Sequence, residues 1–287
     1  MNNQFAILGY PLGHTMSPPI HKRLFSLSGK AADYSVAMIK PEEFDLPATA
    51  DFLRSLAGFN ITLPYKERII PLLSKVDPAA QRYHSVNVVA NTPQGMVGYN
   101  TDVYGFLKTL ETMGIALPGK TVCVAGAGGV GRTFAIECAL SGAAVTLATR
   151  PTGEQSAQRI IADAKALMPQ VKIEHALLNG LNRPFDLLIN ATPCGMYPKT
   201  QVSPIGQELL QGCRAVFDCI YNPTKTKLLL DSERLNIPSA GGMDMLVWQA
   251  VKAHEIWYGG TFHTADISQL IRDMSAQVDQ DFPATLA

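Results

Sequence analysis

The sequence predicts an α/β protein of two domains whose sheets are mostly parallel. Short apolar runs typical of strands alternate along the chain with segments of helical spacing, and this alternation implies parallel sheets. The chain has 287 residues, a length that suits two domains better than one core. Residues 120–150 join a strand, a glycine-rich turn, a helix and a second strand, the order found in Rossmann dinucleotide-binding domains.

Composition and charge exclude several classes of function. Lysine plus arginine and aspartate plus glutamate both number 24, so there is no basic field for nucleic acid and no polybasic patch for a membrane. No apolar run approaches the roughly 20 residues that cross a bilayer, and the first residues lack the features of a secretion signal. Five scattered cysteines without metal-ligand spacing predict a cytoplasmic protein and no metal site.

The first hundred residues supply the elements of an N-terminal domain. Apolar runs bounded by turn residues predict three strands, at 5–8, 34–39 and 58–62. Ser17 and Pro18 predict the start of a helix, with Ser17 as its N-cap. Residues 41–56 are predicted to form the next helix, so the chain follows a strand–helix order.

Polar side chains follow two of these strands. Thr15 and Ser17 come after the first strand, and Asn60, Thr62 and Lys66 lie at or beyond the end of the third. Ligands bind at the carboxyl ends of strands in open α/β sheets. Both clusters are therefore candidates for a ligand site.

The rest of the chain continues the pattern. Residues 85–90 and 95–99 predict a hairpin, after which Asn100, Thr101 and Asp102 precede a helix. Because aspartate is a favoured cap, Asp102 could serve in capping alone. Further strands are predicted at 122–125, 144–148, 185–189 and 215–220, and a helix follows Gly241 and Gly242.

The glycine-rich turn after the strand at 122–125 fits the pattern G-x-G-x-x-G. Gly126 is expected to make the tight turn, Gly128 to let the backbone approach a pyrophosphate, and Gly131 to pack the helix on the strand. The amino end of that helix presents free amides and a positive dipole to phosphates. The alternative is a glycine-rich turn in some other α/β protein.

Arg150 bears on the choice of cofactor. NAD sites usually place an acid after the second strand, to bind the ribose 2′-hydroxyl. Here the strand ends in Thr149-Arg150, and the first acid is Glu154. A guanidinium suits a 2′-phosphate because it donates two parallel hydrogen bonds. The sequence therefore favours NADP, although Arg150 could also be a solvated surface residue.

A series of separated motifs then resembles the shikimate and quinate dehydrogenases over residues 5–257, nearly the whole chain. The motifs are GYPLGHTMSP, GFNITLPYK, SVN, GYNTD, GAGGVGR, INATPCGM, YNP and GGMDMLVWQA. The resemblance implies reversible, NADP-dependent reduction of 3-dehydroshikimate to shikimate, on the pathway to aromatic amino acids. It also leaves open a dehydrogenase that uses both quinate and shikimate, with NAD as a possible cofactor.

The resemblance implies roles for particular residues. Lys66 and Asp102 fall on the family's catalytic pair. The implied substrate-binding residues are Thr15, Ser17, Asn60, Thr62, Asn87, Tyr221 and Gln249. The implied cofactor-binding residues are Gly126, Ala127, Gly128, Gly129, Val130, Gly131, Thr149, Arg150, Thr192 and Gly242.

The chemistry of these residues agrees with that assignment. Oxidation of a secondary alcohol needs a group that takes the hydroxyl proton as hydride leaves, and a lysine can do this and can polarise the carbonyl in the reverse direction. Asp102 is cast as the orienting partner of Lys66. The remaining hydroxyl and amide side chains supply donors and acceptors for a hydroxy acid without a metal.

The expected domains are a substrate-binding domain at 1–101, completed by C-terminal helices at 245–287, and a Rossmann NADP-binding domain at 102–244. The expected partner is a small-molecule substrate, bound in the cleft between the domains. Whether the chain is a monomer or a homodimer is left open by the sequence.

The chain departs from the family pattern in three places. Thr15 stands where serine is usual and adds a methyl group, which leaves the preference for shikimate over quinate open. Thr149-Arg150-Pro151 replaces Asn-Arg-Thr, and Glu154 stands where a basic residue is common, which leaves the strictness of NADP use open. Asp244 stands where glycine is common.

Two functions from other classes compete. A methyltransferase also uses G-x-G after a first strand, but it predicts an acid after the second strand, where this chain has Arg150. A non-catalytic NADP sensor on the same fold would have no need of Lys66 and Asp102, and both are present.

Overall fold

The computed structural model describes residues 3–13 and 15–282. The strands are β1 (Gln4–Gly9), β2 (Asp33–Met38), β3 (Gly58–Ile61), β4 (Lys75–Val76), β5 (Val88–Thr92), β6 (Gly95–Tyr99), β7 (Thr121–Ala125), β8 (Ala144–Thr149), β9 (Lys172–Leu177), β10 (Leu187–Asn190), β11 (Val216–Asp218) and β12 (Ser239–Ala240). The α-helices are α1 (Ser17–Leu27), α2 (Pro47–Ser55), α3 (Tyr65–Arg68), α4 (Pro78–Tyr83), α5 (Asp102–Thr112), α6 (Gly129–Leu140), α7 (Glu154–Leu167), α8 (Gln207–Gln211), α9 (Lys227–Arg234), α10 (Gly242–Tyr258) and α11 (Thr264–Asp281).

The chain forms two compact units. Among the described residues, the first unit contains 3–13, 15–105 and 247–274, and the second contains 106–246 and 275–282. The sequence-based prediction grouped all of 245–287 with the N-terminal domain. In the structure the end of α11, from residue 275, groups with the second unit instead, and the predicted segment 283–287 lies outside the described residues.

The sheet of the first unit is mixed, with the strand order β2-β1-β3-β5-β6-β4. β1 pairs in parallel with both β2 and β3, whereas β5 is antiparallel to β3 and to β6. The chain runs from β1 to its neighbour on one side and then crosses to the neighbour on the other. The strand order therefore reverses at β1, and ligand sites form at the carboxyl ends of strands beside such a reversal.

The sheet of the second unit is parallel throughout, with the order β12-β11-β10-β7-β8-β9. Counted from β7, this is the strand order 3-2-1-4-5-6 of Rossmann domains. The reversal falls between β7 and β10. The predicted fold class, α/β with mostly parallel sheets and a Rossmann domain, is confirmed.

Most predicted elements are present, including the hairpin formed by β5 and β6, but two predictions about helix starts are wrong. Ser17 is the first helical residue of α1 rather than its N-cap; Met16 occupies the cap position, and the amide of Ser17 donates to the Thr15 hydroxyl at 3.2 Å. The predicted helix at 41–56 starts only at Pro47, and the residues before it form turns. A proline favours extended backbone in the residue before it, and Leu46 has ψ 143°.

A series of hydrogen-bonded polar side chains, buried at His21 and His254 and half-buried at Tyr258 and Ser28, connects α1 with α10 inside the first unit. His21 Nδ1 lies 2.9 Å from His254 Nε2, and His254 Nδ1 contacts the Tyr258 hydroxyl. That hydroxyl lies 3.0 Å from Ser28 Oγ, which itself donates to the Phe25 carbonyl. Because the serine proton is used on this carbonyl, each bond in the series runs in one direction, from His21 to His254, to Tyr258, to Ser28.

Both histidines are held neutral by their surroundings. Burial lowers the pKa of His254 to about 3, and burial together with the nearby His254 lowers the pKa of His21 well below its usual range. In the direction just derived, His21 Nε2 is an acceptor, and it has no hydrogen-bond partner among the described residues.

We expect the two buried histidines, His21 and His254, to destabilise the protein in acid. A neutral native histidine contributes stability that is complete above pH 6.5 and is lost as pH falls toward 3, because the unfolded chain binds the proton first. His254→Phe should therefore flatten the fall of the unfolding free energy between pH 6.5 and 5 by about 1 kcal/mol per pH unit, approaching the limit of about 1.4 kcal/mol near pH 5, where the unfolded imidazole is almost fully protonated. Urea unfolding across pH 5–7.5 measures it. Tyr258→Phe removes a hydroxyl and no imidazole, so it should leave the slope as it is; an equal flattening in both variants would contradict the assignment.

Candidate active site

Lys66 and Asp102 form an ion pair in the first unit. Lys66 lies on the short helix α3, directly after β3, and Asp102 is the first residue of α5, after β6. Lys66 Nζ donates to Asp102 Oδ2 at 2.7 Å, and the two side chains are 16% and 10% exposed. No other partner of Lys66 Nζ is found among the described residues. The ammonium therefore has donors left for a ligand.

The side chain of Asp102 does not cap its helix. The side chain of Asn100 performs that task, because its Oδ1 accepts from the amides of Asp102 and Val103 at 3.1 and 3.4 Å. The Asp102 carboxylate turns away to two side-chain donors, Lys66 through Oδ2 and Asn87 through Oδ1 at 2.9 Å. A carboxylate that is only 7% exposed requires such donors.

Asn87, Thr101 and Gln249 complete a buried cluster around this carboxylate. Asn87 Nδ2 also donates to Thr101 Oγ1 at 3.0 Å, and Asn87 Oδ1 accepts from the Thr101 amide at 2.7 Å. Gln249 Oε1, on α10, lies 3.3 Å from the Thr101 hydroxyl and 3.4 Å from Asn87 Nδ2. The structure thus brings together Lys66, Asp102, Asn87 and Gln249, four of the predicted site residues. Sequence analysis missed the role of Thr101, although it lies between two residues that it singled out.

The other predicted residues of the first unit lie around the ends of β1 and β3. Ser17 and Asn60 are buried, and Thr15 and Thr62 are half-buried. Asn60 Oδ1 accepts from the hydroxyl of Tyr34 at 2.7 Å. Within the described part of the chain, these four residues form no hydrogen bond to Lys66, Asp102, Asn87 or Gln249.

The fingerprint in the second unit has the geometry that a dinucleotide needs. Gly126 has φ +104°, and a Cβ there would lie 2.8 Å from Thr192 Cγ2. A Cβ on Gly131 would lie 2.1 Å from the Gly126 carbonyl oxygen, so the helix packs against the turn at closest approach. Gly128 caps α6 and faces open space. Together with the half-exposed Ala127, Gly129 and Val130, it leaves the amino end of α6 accessible to a phosphate.

The end of β8 fits a 2′-phosphate. Thr149 is buried, and its hydroxyl contacts His175 Nε2 at 2.9 Å. Arg150 follows as an exposed residue of extended backbone and has no ion-pair partner among the described residues. Glu154 begins α7 beyond a short turn, so no acid lies at the strand end itself. The residues present therefore fit NADP.

A buried carboxylate orders the loop after β10, and sequence analysis missed it. Asp218, at the end of β11, accepts from Asn190 Nδ2, from the Ile220 amide and from the Thr226 hydroxyl at 3.0, 3.0 and 2.7 Å. Asn190 Oδ1 in turn accepts from the amide and hydroxyl of Thr192. Burial raises the pKa of Asp218 to about 6 against the opposing effect of these donors. The signal was an aspartate at the end of an apolar strand.

Tyr221 and Gly242 also lie in the second unit. Tyr221 is half-buried, and burial raises the pKa of its phenol. Gly242 begins α10, and a Cβ there would lie 2.2 Å from the Cys219 carbonyl oxygen. Glycine is required at this position because the start of α10 packs directly on that backbone. Burial also raises the pKa of Asp244, two residues further on.

In residues 3–13 and 15–282, no three His, Cys, Asp or Glu side chains are grouped so as to hold a metal ion. No helix in the same ranges has the length and apolar character needed to cross a membrane.

The fold and the site define the chain as a two-unit α/β protein with a dinucleotide-binding Rossmann unit and a unit that carries a buried lysine–aspartate pair. The family model for the shikimate dehydrogenase substrate binding domain matches residues 7–89. The chain is 33% identical over 273 residues to the shikimate dehydrogenase (NADP(+)) of Moorella thermoacetica, covering 93% of this chain and 92% of that protein. The chain belongs to the shikimate dehydrogenase family.

Solved structures agree with this placement. The shikimate 5-dehydrogenase of Thermus thermophilus, in complex with NADP(H) and shikimate, matches with a TM-score of 0.83 and 30% identity. The match covers 96% of this chain and 100% of the Thermus chain. The shikimate 5-dehydrogenase of Listeria monocytogenes, in complex with shikimate and NAD, matches with a TM-score of 0.82 and 25% identity, over 94% and 96% of the two chains.

We expect Asp218→Ala to destabilise the protein strongly. It leaves the Asn190, Ile220 and Thr226 donors unpaired in a buried place, at about 1–3 kcal/mol each, so the unfolding free energy at pH 7.5 should fall by about 3 kcal/mol or more. Urea unfolding measures this. Asp186→Ala is the control, because the donors that it frees at Thr121 are open to water. Equal losses in both variants would show that burial of the Asp218 network does not determine the cost.

Proposed function

We propose that the chain is an NADP-dependent shikimate dehydrogenase, which reversibly reduces 3-dehydroshikimate to shikimate in the biosynthesis of aromatic amino acids. The observation that carries the proposal is the Lys66–Asp102 pair, with Nζ 2.7 Å from Oδ2 in a chain of this family. A half-buried ammonium with donors to spare can serve as the positioned acid that such a reaction requires on the protein side. The first unit carries the reactive pair and all of the proposed substrate-binding residues except Tyr221, and the second unit binds the cofactor.

The pair acts on the proton of the reacting oxygen. In the reducing direction, the Lys66 ammonium donates a hydrogen bond to the substrate carbonyl, polarises it, and gives up its proton as the alcohol forms. In the oxidising direction, neutral Lys66 takes the hydroxyl proton. Asp102 stabilises the ammonium and fixes its position, and Asn87 holds Asp102 from the other side at 2.9 Å. When bound, NADP supplies or accepts the hydride.

The substrate-binding set in this proposal is Thr15, Ser17, Asn60, Thr62, Asn87, Tyr221 and Gln249. These side chains provide donors and acceptors for a carboxylate and ring hydroxyls without a metal. The glycine-rich turn, Thr149, Arg150, Thr192 and Gly242 are proposed to hold the cofactor. The support for Arg150 is its exposed guanidinium, unpaired within the described part of the chain, at a strand end that lacks an acid.

The proposal includes a cytoplasmic location, which the five free cysteines support, because cytosolic thiols stay reduced. Whether the protein is a monomer or a homodimer is a question for sedimentation analysis of the full chain.

A direct experiment measures reduction of 3-dehydroshikimate and of 3-dehydroquinate, each with NADPH and with NADH. Activity that is greatest with 3-dehydroshikimate and NADPH supports the proposal. Comparable activity with 3-dehydroquinate would indicate the alternative, a dehydrogenase for both acids, in which the extra methyl of Thr15 matters. Inactivity in all four combinations would refute the proposed function.

Lys66→Ala should lower kcat by about 10²- to 10⁴-fold, the usual contribution of a positioned acid or base, while cofactor affinity and folding are retained. Asp102→Asn should lower kcat as well and keep the helix, since Asn100 is the cap. Steady-state kinetics and thermal unfolding measure both. Lys40→Ala, at an exposed lysine of the same unit, is the control. A loss below about tenfold for Lys66→Ala would remove it from the catalytic role.

Arg150→Ala should raise KM for NADPH by about tenfold and leave KM for NADH nearly unchanged, because a hydrogen bond to a charged partner contributes about 1.5–3 kcal/mol. Added salt should weaken the preference of the natural enzyme for NADPH, since an exposed phosphate contact is screened. Arg159→Ala, at an exposed arginine of α7, is the control. An equal loss for both cofactors would mean that Arg150 supports the loop or the adenine rather than the 2′-phosphate.

A further inference from the structure

Tyr34 is a half-buried residue of the first unit that no part of the proposed mechanism uses. It lies on β2, opposite Phe5 of β1, whereas Asn60 lies on β3, opposite Ile7 of β1. The Tyr34 side chain spans the width of β1, about 10 Å between the flanking strands, and its hydroxyl donates to Asn60 Oδ1 at 2.7 Å. A side chain from the edge of the sheet thus contacts a residue of the proposed substrate set.

This contact decides which way the Asn60 amide points. The oxygen and the NH₂ group of an amide have nearly the same shape, so only hydrogen-bond partners distinguish the two orientations. Burial raises the pKa of the Tyr34 phenol well above its usual range, with the nearby Ser17 side chain acting in the opposite direction. The phenol keeps its proton, and in the arrangement that the structure shows its hydroxyl donates to Asn60 Oδ1.

The other end of the amide is consequently a donor. Asn60 is only 4% exposed, and Nδ2 has no hydrogen-bond partner among the described residues. Asn60 lies on β3, two residues before the proposed substrate residue Thr62, at the reversal of strand order beside β1. An amide donor without a protein partner at such a place is suited to an acceptor oxygen of a ligand.

The ring of Tyr34 is itself held in place. It stacks face to face on His21, with ring centroids 4.2 Å apart and an interplanar angle of 6°. His21 is fully buried and is fixed by its hydrogen bond to His254. The tyrosine hydroxyl is therefore aimed by packing from α1 and α10, and Tyr34→Phe can remove the hydroxyl without removing the stack.

We propose that Tyr34 is a positioning residue, which holds the Asn60 amide so that Nδ2 donates to an acceptor oxygen of the hydroxy-acid substrate. This inference rests on the proposed function and extends it to a residue outside the predicted site. Tyr34 acts on substrate affinity rather than on proton transfer, because Asn60 is not hydrogen-bonded to Lys66 or Asp102.

A double-mutant cycle of Tyr34→Phe and Asn60→Ala tests it. Tyr34→Phe should raise KM for shikimate by about 2- to 12-fold, as expected for one neutral hydrogen bond, with kcat within about twofold and KM for NADP unchanged. In the Asn60→Ala background the same substitution should have no further effect, since Tyr34 acts through Asn60. Tyr65→Phe, which loses a buried hydroxyl bonded to the Ile39 carbonyl, is the matched control and should leave KM unchanged.

The outcomes separate this inference from the proposed function. If the natural enzyme oxidises shikimate but Tyr34→Phe leaves KM unchanged, lowers kcat alone, or acts equally in both backgrounds, the inference is overturned and the proposed function stands. Inactivity of the natural enzyme overturns both. Asn60→Asp gives a second reading that does not require any change at Tyr34. It places an acceptor where a donor is proposed, so it should bind shikimate more weakly than Asn60→Ala, and equal or tighter binding would overturn the donor assignment.

Discussion

The burial of the Asp102 carboxylate is the constraint on which the arrangement of the first unit's polar site depends. A carboxylate at 7% exposure is stable only if donors surround it. Lys66 comes from the segment after β3, Asn87 from the segment before β5, and Asp102 from the start of α5. Three separate parts of the chain must therefore be correctly placed before the charge is satisfied, and the same contacts position the ammonium that is proposed to react. Stability and chemistry share one set of hydrogen bonds.

The second unit also contains a buried carboxylate that depends on surrounding donors, that of Asp218. Its carboxylate receives three donors, and through Asn190 it orders the amide and hydroxyl of Thr192. The loop after β10 borders the glycine turn after β7, because these two strands are neighbours where the strand order reverses. The close approach of Thr192 to Gly126 then explains why a side chain at 126 has no space. A buried acid thus shapes the proposed cofactor site without being exposed to it.

Local patterns in the sequence predicted much of this, and their failures have physical causes. Strands and the fingerprint could be predicted because apolar runs and glycine spacing are local signals. The helix predicted at 41–56 begins too early in the sequence. Pro47 favours extended backbone at Leu46, so the helix starts only at Pro47. Partners such as His21 and His254, 233 residues apart, leave no local signal. The resemblance to a family supplied candidate residues, but it carried no information on which of their polar atoms are already engaged.

Two asparagines to which the resemblance assigns the same role differ in the polar atoms that the fold leaves available. Asn87 uses Oδ1 on the Thr101 amide and Nδ2 on Thr101 and Asp102, so both ends of its amide are committed to protein partners. Asn60 commits only Oδ1. Since a side chain can offer a ligand only the atoms that the fold leaves available, Asn87 acts first on the position of Asp102, whereas Asn60 has a donor to offer. What each asparagine can offer a ligand is therefore set by hydrogen-bond direction as well as by residue type.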